Sequence, residues 1–202
     1  LAYKTSERSD AATNRRRILS AARRLFDERG VGVVSMHEVG RSAGVGQGTL
    51  YRRFRNKGEL CAALLEGRVE EFEGEARGRI EGGEESALEL LGWFLERLAD
   101  FNEENGPLLE AIRDSRVGGR EVEMRRNPFY GWLRRTVAGL LRKAEAEGET
   151  RRDLDVEVLT DIVLAPLDID LWIYQREEQG LPPRRIVAAI LDLVLKGLKA
   201  TD

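Results

Sequence analysis

The 202 residues contain one cysteine, Cys61, and one histidine, His37. A lone cysteine excludes an intramolecular disulfide and a cysteine-based zinc site, and it suits a reducing cytoplasm. A lone histidine leaves serine–histidine triads and multi-histidine metal sites without their parts. No run of about 18 uncharged apolar residues occurs, so no membrane-spanning helix is expected. The opening LAYKTSERSDAATNRRR has no apolar stretch of the kind a secretory signal needs. Alternating β-branched runs are missing too, apart from Val31–Val34, which is too short and too Gly-flanked to anchor a sheet. Neither an internal repeat nor a low-complexity tract is visible. No nucleophile–base pair stands out, so no catalytic residue, cofactor or resident metal is assigned.

What is present reads as helical and globular. Apolar residues make up 42% of the chain, and its length suffices to bury a sizeable core. The net charge of −3 hides an asymmetry. Residues 1–60 carry 13 Lys and Arg against 6 Asp and Glu, a net of +7, and residues 61–202 carry 20 against 30, a net of −10. A basic first third on an acidic remainder suits two parts with two tasks, the first facing phosphate. A chance excess of solvated arginines would give the same count.

Residues 1–12 read as a polar, frayed arm. A first helix is expected over Thr13–Arg29, with Ile18, Ala21, Ala22, Leu25 and Phe26 on one apolar face and Gly30 as its stop. Ser35 opens a second helix, with Glu38 completing a capping box; Met36, Val39 and Ala43 point inward. Gly44 and Gly46 break it, and a short third helix runs from Gln47 to Phe54 with Leu50 and Phe54 inside. Asn56 caps a fourth, which reaches about Ile80 on a stripe of Cys61, Leu65, Val69, Phe72 and Ala76 and ends at Gly82-Gly83. Further helices are expected over Ser86–Glu104, Pro107–Val117, Arg120–Arg126, Pro128–Glu147, Val156–Glu178 and Pro183–Lys199. Pro166 should kink or break the second-last of these.

The segment Ser35–Phe54 is a helix-turn-helix in outline: a capped helix, a Gly-containing tight turn and a short second helix. Small residues at Ala43 and Gly44 let the backbones approach. Gln47, Thr49, Tyr51, Arg52 and Arg53 then face outward, on an element that fits the major groove of B-DNA.

Residues from about Thr13 to Leu65 resemble the DNA-binding domain of tetracycline-repressor-like (TetR-family) transcriptional regulators. The resemblance rests on Ile18-Leu19-Ser20-Ala21-Ala22, Leu25-Phe26, Glu28-Arg29-Gly30, Ser35, Val39, Ala43-Gly44-Val45, Gly48-Thr49-Leu50-Tyr51-Arg52, Phe54 and Asn56-Lys57-Gly58-Glu59-Leu60. It implies DNA contacts from Ser35, Thr49, Tyr51 and Lys57, with Lys57 meeting a phosphate; His37, Gln47, Gly48, Arg52 and Arg53 complete the candidate DNA-binding set. The chain departs from the family pattern at Gly46-Gln47, where Ser-Lys is usual, at Arg53, where His or Tyr is frequent, and at Gly40, where Ala is usual. Other readings stand beside these: Tyr51 as a packing aromatic, His37 as a solvated surface group, Arg15–Arg17 as a solvated face, and Cys61 as a small buried hydrophobe.

The acidic part holds most of the large aromatics. Trp93, Phe94, Phe101, Phe129, Tyr130 and Trp172, with Asp168, are the candidates to line a ligand pocket; plain core packing is the alternative for each aromatic taken singly. Asp168 could equally be an N-cap, and a carboxylate metal site with Asp161 and Asp170 has only weak support. The last helix is apolar over so much of its circumference (Ile186, Ala189, Ile190, Leu193, Leu198, widened by Val187, Leu191, Val194, Leu195) that it is either central in a monomer or shared across an interface. The resemblance favours the interface, implying a homodimer through Val156–Glu178 and Pro183–Lys199 whose two heads stand about 34–36 Å apart on a palindrome.

The combined reading is an all-α chain with three parts. Residues 1–12 form an arm, 13–60 a three-helix helix-turn-helix DNA-binding domain, and 61–202 a helical-bundle ligand-binding and dimerisation domain. Its partners would be a double-stranded DNA operator, a small-molecule effector and a second copy of itself, in the cytoplasm and without a membrane. The expected function is a regulator, in the first instance a repressor, released from its operator by the effector. A helical enzyme or small-molecule-binding protein without gene regulation is the rival; an architectural, sequence-independent DNA binder is another.

Overall fold

A computed structural model of the chain describes residues 2–115 and 127–199. Its helices are α1 (Ala2–Arg29), α2 (Met36–Ala43), α3 (Gln47–Arg53), α4 (Lys57–Gly82), α5 (Ala87–Asp114), α6 (Pro128–Ala146), α7 (Val156–Leu164), α8 (Ile169–Ile173) and α9 (Pro183–Leu198). A 3-10 turn (Ala165–Leu167) precedes α8 and a π turn (Tyr174–Glu178) follows it. Among the described residues there is no strand; one isolated bridge pairs Thr150 with Lys199. The protein is all-α, with the helix-turn-helix at its start. No described helix is long and apolar enough to cross a membrane. The helix expected over Arg120–Arg126 lies outside the described residues.

These residues fall into two compact units, residues 2–68 with 107–115 and residues 69–106 with 127–199. The boundary is thus eight residues beyond the expected one at 60/61, and the end of α5 belongs to the first unit.

In the first unit α1 begins at Ala2, where the sequence suggested a frayed arm as far as residue 12. Nothing between Ala2 and Ala12 is Gly or Pro, and extending a nucleated helix costs little. Ile18 and Ala22 are fully buried, and Phe26 nearly so. Gly30, at φ 85°, ends the helix in the left-handed region that favours glycine. Val31 and Val34 do not form a strand; both tuck into the core from the turn that follows. The start of α2 has the full capping box: Ser35 Oγ accepts from Glu38 N, and Glu38 Oε2 accepts from Ser35 N at 2.8 Å. Asn56 caps α4 by accepting from Glu59 N at 2.9 Å, while Glu59 reaches back to Arg55 N at 2.7 Å. Cys61 is fully buried, and that burial pushes its thiol up to about 11, so it is a small core residue and not a thiolate at neutral pH.

Gly58 is the close approach that the sequence does not announce. A β-carbon there would collide with the Ser115 side chain and lie 3.2 Å from the Ala111 carbonyl oxygen, so the last turns of α5 run against the backbone of α4. Gly58→Ala should therefore lower stability by about 1–3 kcal/mol, although alanine is the better helix former by about 1 kcal/mol. Adding Ser115→Gly should restore most of the loss in urea unfolding. A single variant more stable than the parent would show that the two helices do not meet there.

Two prolines, Pro107 in the first unit and Pro166 in the second, have opposite outcomes. Pro107 sits inside α5, which continues unbroken where two helices, Ser86–Glu104 and Pro107–Val117, were expected. No N-cap residue follows Pro107 to restart a helix, and Phe101, Asn102, Asn105 and Leu108 around it are buried. Pro166 does break its helix, so Val156–Glu178 is not one rod but α7, the 3-10 turn, α8 and the π turn. Asp168 lies two residues on and caps α8 by accepting from Asp170 N at 3.0 Å, which stabilises the restart. Glu149 holds the start of α5: its carboxylate accepts from Ala87 N and Leu88 N, both at 2.9 Å. Burial opposes the charge of Glu149, but these two amides together with the Glu147 and Ser86 side chains outweigh it, and the carboxyl lies below its ordinary range.

Candidate nucleic-acid interface

The turn between α2 and α3 is built on Gly44, in the left-handed region at φ 64°, whose N–H reaches the Arg41 and Gly40 carbonyls. Leu50 and Phe54 anchor α3 in the core. That leaves Gly48, Tyr51, Arg52 and Arg53 exposed and Thr49 half-buried. Tyr51 is 48% exposed and makes no part of the core, which removes the packing alternative for it. The Arg52 guanidinium donates to Thr49 Oγ1 at 3.2 Å and braces the two outward positions against each other.

Gln47 is placed differently from its neighbours. It is half-buried and folds back, donating from Nε2 to the His37 carbonyl at 3.3 Å. The space it occupies exists because residue 40 is glycine: a β-carbon there would lie 2.7 Å from Gln47 Nε2. The departures at Gly40 and Gln47 are therefore one device, visible in the sequence only as two separate oddities.

At the other end of α2, Ser35 and His37 are exposed. The Ser35 hydroxyl donates to Glu38 Oε2 at 2.8 Å, so it must release that carboxylate before it can donate to a phosphate. Lys57, half-buried, donates to the Gly32 carbonyl at 3.1 Å and lies 5.9 Å from the Phe26 ring centroid. An ammonium has three N–H donors, so this position leaves donors over for an anion. Arg15 is not a simply solvated residue: it pairs with Glu66 at 2.9 Å and stacks 5.3 Å from the Phe54 centroid.

Glu38 links this face to pH. The Ser35 amide, the Arg29 guanidinium at 2.7 Å and the Ser35 hydroxyl hold its carboxyl at about 2. The unfolded value is 4.5, so the contribution of Glu38 is complete above pH 4.5 and is lost as pH falls towards 2. Glu38→Gln should flatten the melting-temperature profile across that window. An unaltered acid limb would show that the capping box is not formed in solution.

In the second unit the sequence-predicted ligand residues separate. Phe94, Phe101 and Phe129 come together around Phe72, at 5.8, 5.2 and 5.9 Å between ring centroids, and Trp132 joins at 5.6 Å. Arg97 covers the Phe72 ring at 5.6 Å, its Nε donating to Glu75 at 2.9 Å. Phe72 was not among the candidate ligand residues; it showed only as one position of a helix stripe. Trp93 stands apart under Arg79 at 4.5 Å, and Trp172 is buried. The Tyr130 hydroxyl is 3.2 Å from Asp161, which also takes Arg134 in a two-point pair. Asp168 serves as the cap of α8. Among the described residues no three His, Cys, Asp or Glu side chains are grouped to hold a metal.

Comparison with known proteins bears on this arrangement. Residues 18–64 match the model of the bacterial regulatory proteins, tetR family. An HTH-type transcriptional regulator of Staphylococcus aureus strain bovine RF122 / ET3-1 is 27% identical over 195 residues, covering 96% of this chain and 100% of the relative. Its counterpart in strain USA300 is 29% identical over the same coverage. Among solved structures, a TetR-family transcriptional regulator of Pectobacterium atrosepticum superposes with a TM-score of 0.70 at 24% identity, covering 96% of this chain and 98% of that one. The TetR-family repressor FadR of Thermus thermophilus, solved in complex with lauroyl-CoA, gives 0.70 at 20% identity, covering 93% and 96%. The matched segment begins at the buried Ile18 and ends just beyond the capped start of α4, so it contains the whole helix-turn-helix. Residues 18–64 thus match a tetR-family DNA-binding head, and the chain, similar over nearly its full length to HTH-type transcriptional regulators, is a DNA-binding transcriptional regulator.

Proposed function

We propose that the protein represses transcription as a homodimer on a palindromic operator and is released when a small apolar molecule binds its second unit. The observation that carries the DNA side is the exposure of Tyr51, Arg52 and Arg53 on a short helix whose other face is locked by Leu50 and Phe54. Tyr51, Thr49 and Gly48 meet the groove, the arginines meet guanine or phosphate, and Ser35, His37 and Lys57 meet the backbone at the mouth of α2 and α4. Gln47 supports the turn from within and does not read bases. The head is the first unit, residues 2–68 with the end of α5, and the second unit is the effector and dimerisation part.

Val158 and Ile162, 53% and 56% exposed and one helical turn apart on α7, and Leu193 on α9, 75% exposed, support a dimer through these helices. A second copy would cover them. The ring cluster supports an apolar effector, entering beside the half-buried Phe129 and Trp132 on α6. FadR of Thermus thermophilus and of Bacillus subtilis were solved with lauroyl-CoA and stearoyl-CoA, which makes a long acyl thioester the first effector to try. The effector acts by population shift, favouring a dimer whose reading helices no longer match successive major grooves. The protein needs no catalytic step and works in the cytoplasm, where its DNA is.

The test is operator affinity. Duplexes selected from a random pool should converge on a palindrome bound by two chains. Lauroyl-CoA or stearoyl-CoA should then weaken binding by about tenfold or more. A pool that yields no preferred sequence would return the protein to the architectural class. Equal affinity with and without both thioesters would remove the acyl effector.

A further inference from the structure

A groove of about 550 Å³ runs between the middle of α1 and the last turn of α2. Its walls carry Arg16, Arg17, Ser20 and Arg24 from α1, with Arg41 and Ser42 from α2, and no acidic side chain lines it. All six are exposed. The Arg24 guanidinium donates to Ser42 Oγ at 2.6 Å and touches Glu28 at 3.5 Å, and Arg17 reaches the Gly44 carbonyl at 3.4 Å. Among the described residues, Arg16 and Arg41 have no ion-pair partner. Four guanidiniums on two facing helices repel one another, and a multivalent anion between them reverses the sign of that interaction. Each guanidinium offers a planar fork of donors matched to phosphate oxygens. The only apolar side chains in the walls are Ala21 and Ala43.

No residue of α3 lines the groove, which ends at Gly44 in the turn before that helix. Arg29 to Glu38 at 2.7 Å and Lys57 to Gly32 at 3.1 Å join the end of α1, the start of α2 and the start of α4 beside Ser35 and His37. The groove uses the preceding turns of α1, from Arg16 to Arg24, and the last turn of α2. Beside them Arg15 pairs with Glu66, nine residues and about 13 Å further along α4 than Lys57.

We propose that this groove is a binding site for linked phosphates, either a free oligophosphate or the phosphate arm of a nucleotide. The anion bridges α1 to the end of α2 through guanidiniums of both walls, with the Ser20 and Ser42 hydroxyls as further donors.

Calorimetric titration of the full chain with inorganic tripolyphosphate tests this, at about 0.15 M salt to screen diffuse attraction. One saturable site per chain is expected. Arg16→Ala and Arg41→Ala, on opposite walls, should each weaken it by about tenfold or more, with unchanged circular dichroism and melting. Arg53→Ala on the reading helix should leave it unaltered, and binding should persist with a saturating duplex of arbitrary sequence. ATP binding as tightly as tripolyphosphate marks a site for the phosphates alone; tighter binding of ATP marks a nucleotide site. Non-saturable binding, equal loss in Arg53→Ala, or displacement by the duplex would overturn the assignment.

Discussion

Tyr51→Ala should weaken operator binding by about ten- to a hundredfold, the loss of one or two good hydrogen bonds to DNA, while leaving unfolding nearly unchanged. The stability half of this rests on the 48% exposure of Tyr51 and on its place outside the Leu50 and Phe54 face. Tyr51→Phe separates the hydroxyl from the ring: a loss as large as that of alanine assigns the effect to the hydroxyl, and full retention assigns it to ring contact. Paired salt titrations give a second readout: Tyr51 carries no charge, so its loss should leave the slope of affinity against salt unchanged, whereas losing a cationic phosphate contact flattens that slope by about one unit. A large fall in melting temperature for Tyr51→Ala would mean that the ring is core after all. Lys57→Ala is a less clean probe than its sequence position suggests. Its hydrogen bond to the Gly32 carbonyl and its place by Phe26 give it a structural part, so some stability should be lost along with affinity.

The largest stability effect is expected at Phe72. Its ring is 1% exposed and stands at the centre of Phe94, Phe101, Phe129 and Trp132. Phe72→Ala removes the ring that the other four share and should cost about 3–5 kcal/mol in denaturant unfolding. Phe72→Leu should cost much less, because most of the volume remains. The space left by alanine would be lined by apolar groups, and such spaces stay dry and accept small aromatic molecules. Benzene should therefore raise the melting temperature of Phe72→Ala and leave the parent unaffected. A cost below about 1 kcal/mol would mean that the rings are not packed as described.

Recognition of the head needed no tertiary information. Ser35 with Glu38, Gly30, Gly44 and Asn56 with Glu59 act within four residues of themselves, so capping chemistry and a 3.6-residue period locate α2, α3 and the start of α4 to within a residue. The break at Pro166 was legible for the same reason, with Asp168 beside it as a new cap. Pro107 was misleading because the rule that proline ends a helix is local, while the burial of Phe101, Asn105 and Leu108 that keeps α5 whole is not. Residues 2–12 misled in the opposite direction: polar composition suggested fraying, but extending an already nucleated helix through a segment without Gly or Pro costs little.

The list of aromatics in the acidic part named most of the ring cluster but not its centre. Sequence spacing tells which residues share a helix face; it does not tell which faces meet. Phe72 could be assigned to a stripe on α4, but not to its position among α5 and α6 residues. Gly40 and Gln47, or Gly58 and Ser115, likewise have meaning only as pairs across two helices. The order of helices, their caps and the identity of the DNA-reading segment were thus settled by residues acting on near neighbours. The closing of the turn on Gln47, the seat of Phe72 and the meeting of four arginines in one groove were settled by packing, because contacts between residues distant in the chain leave no period in it.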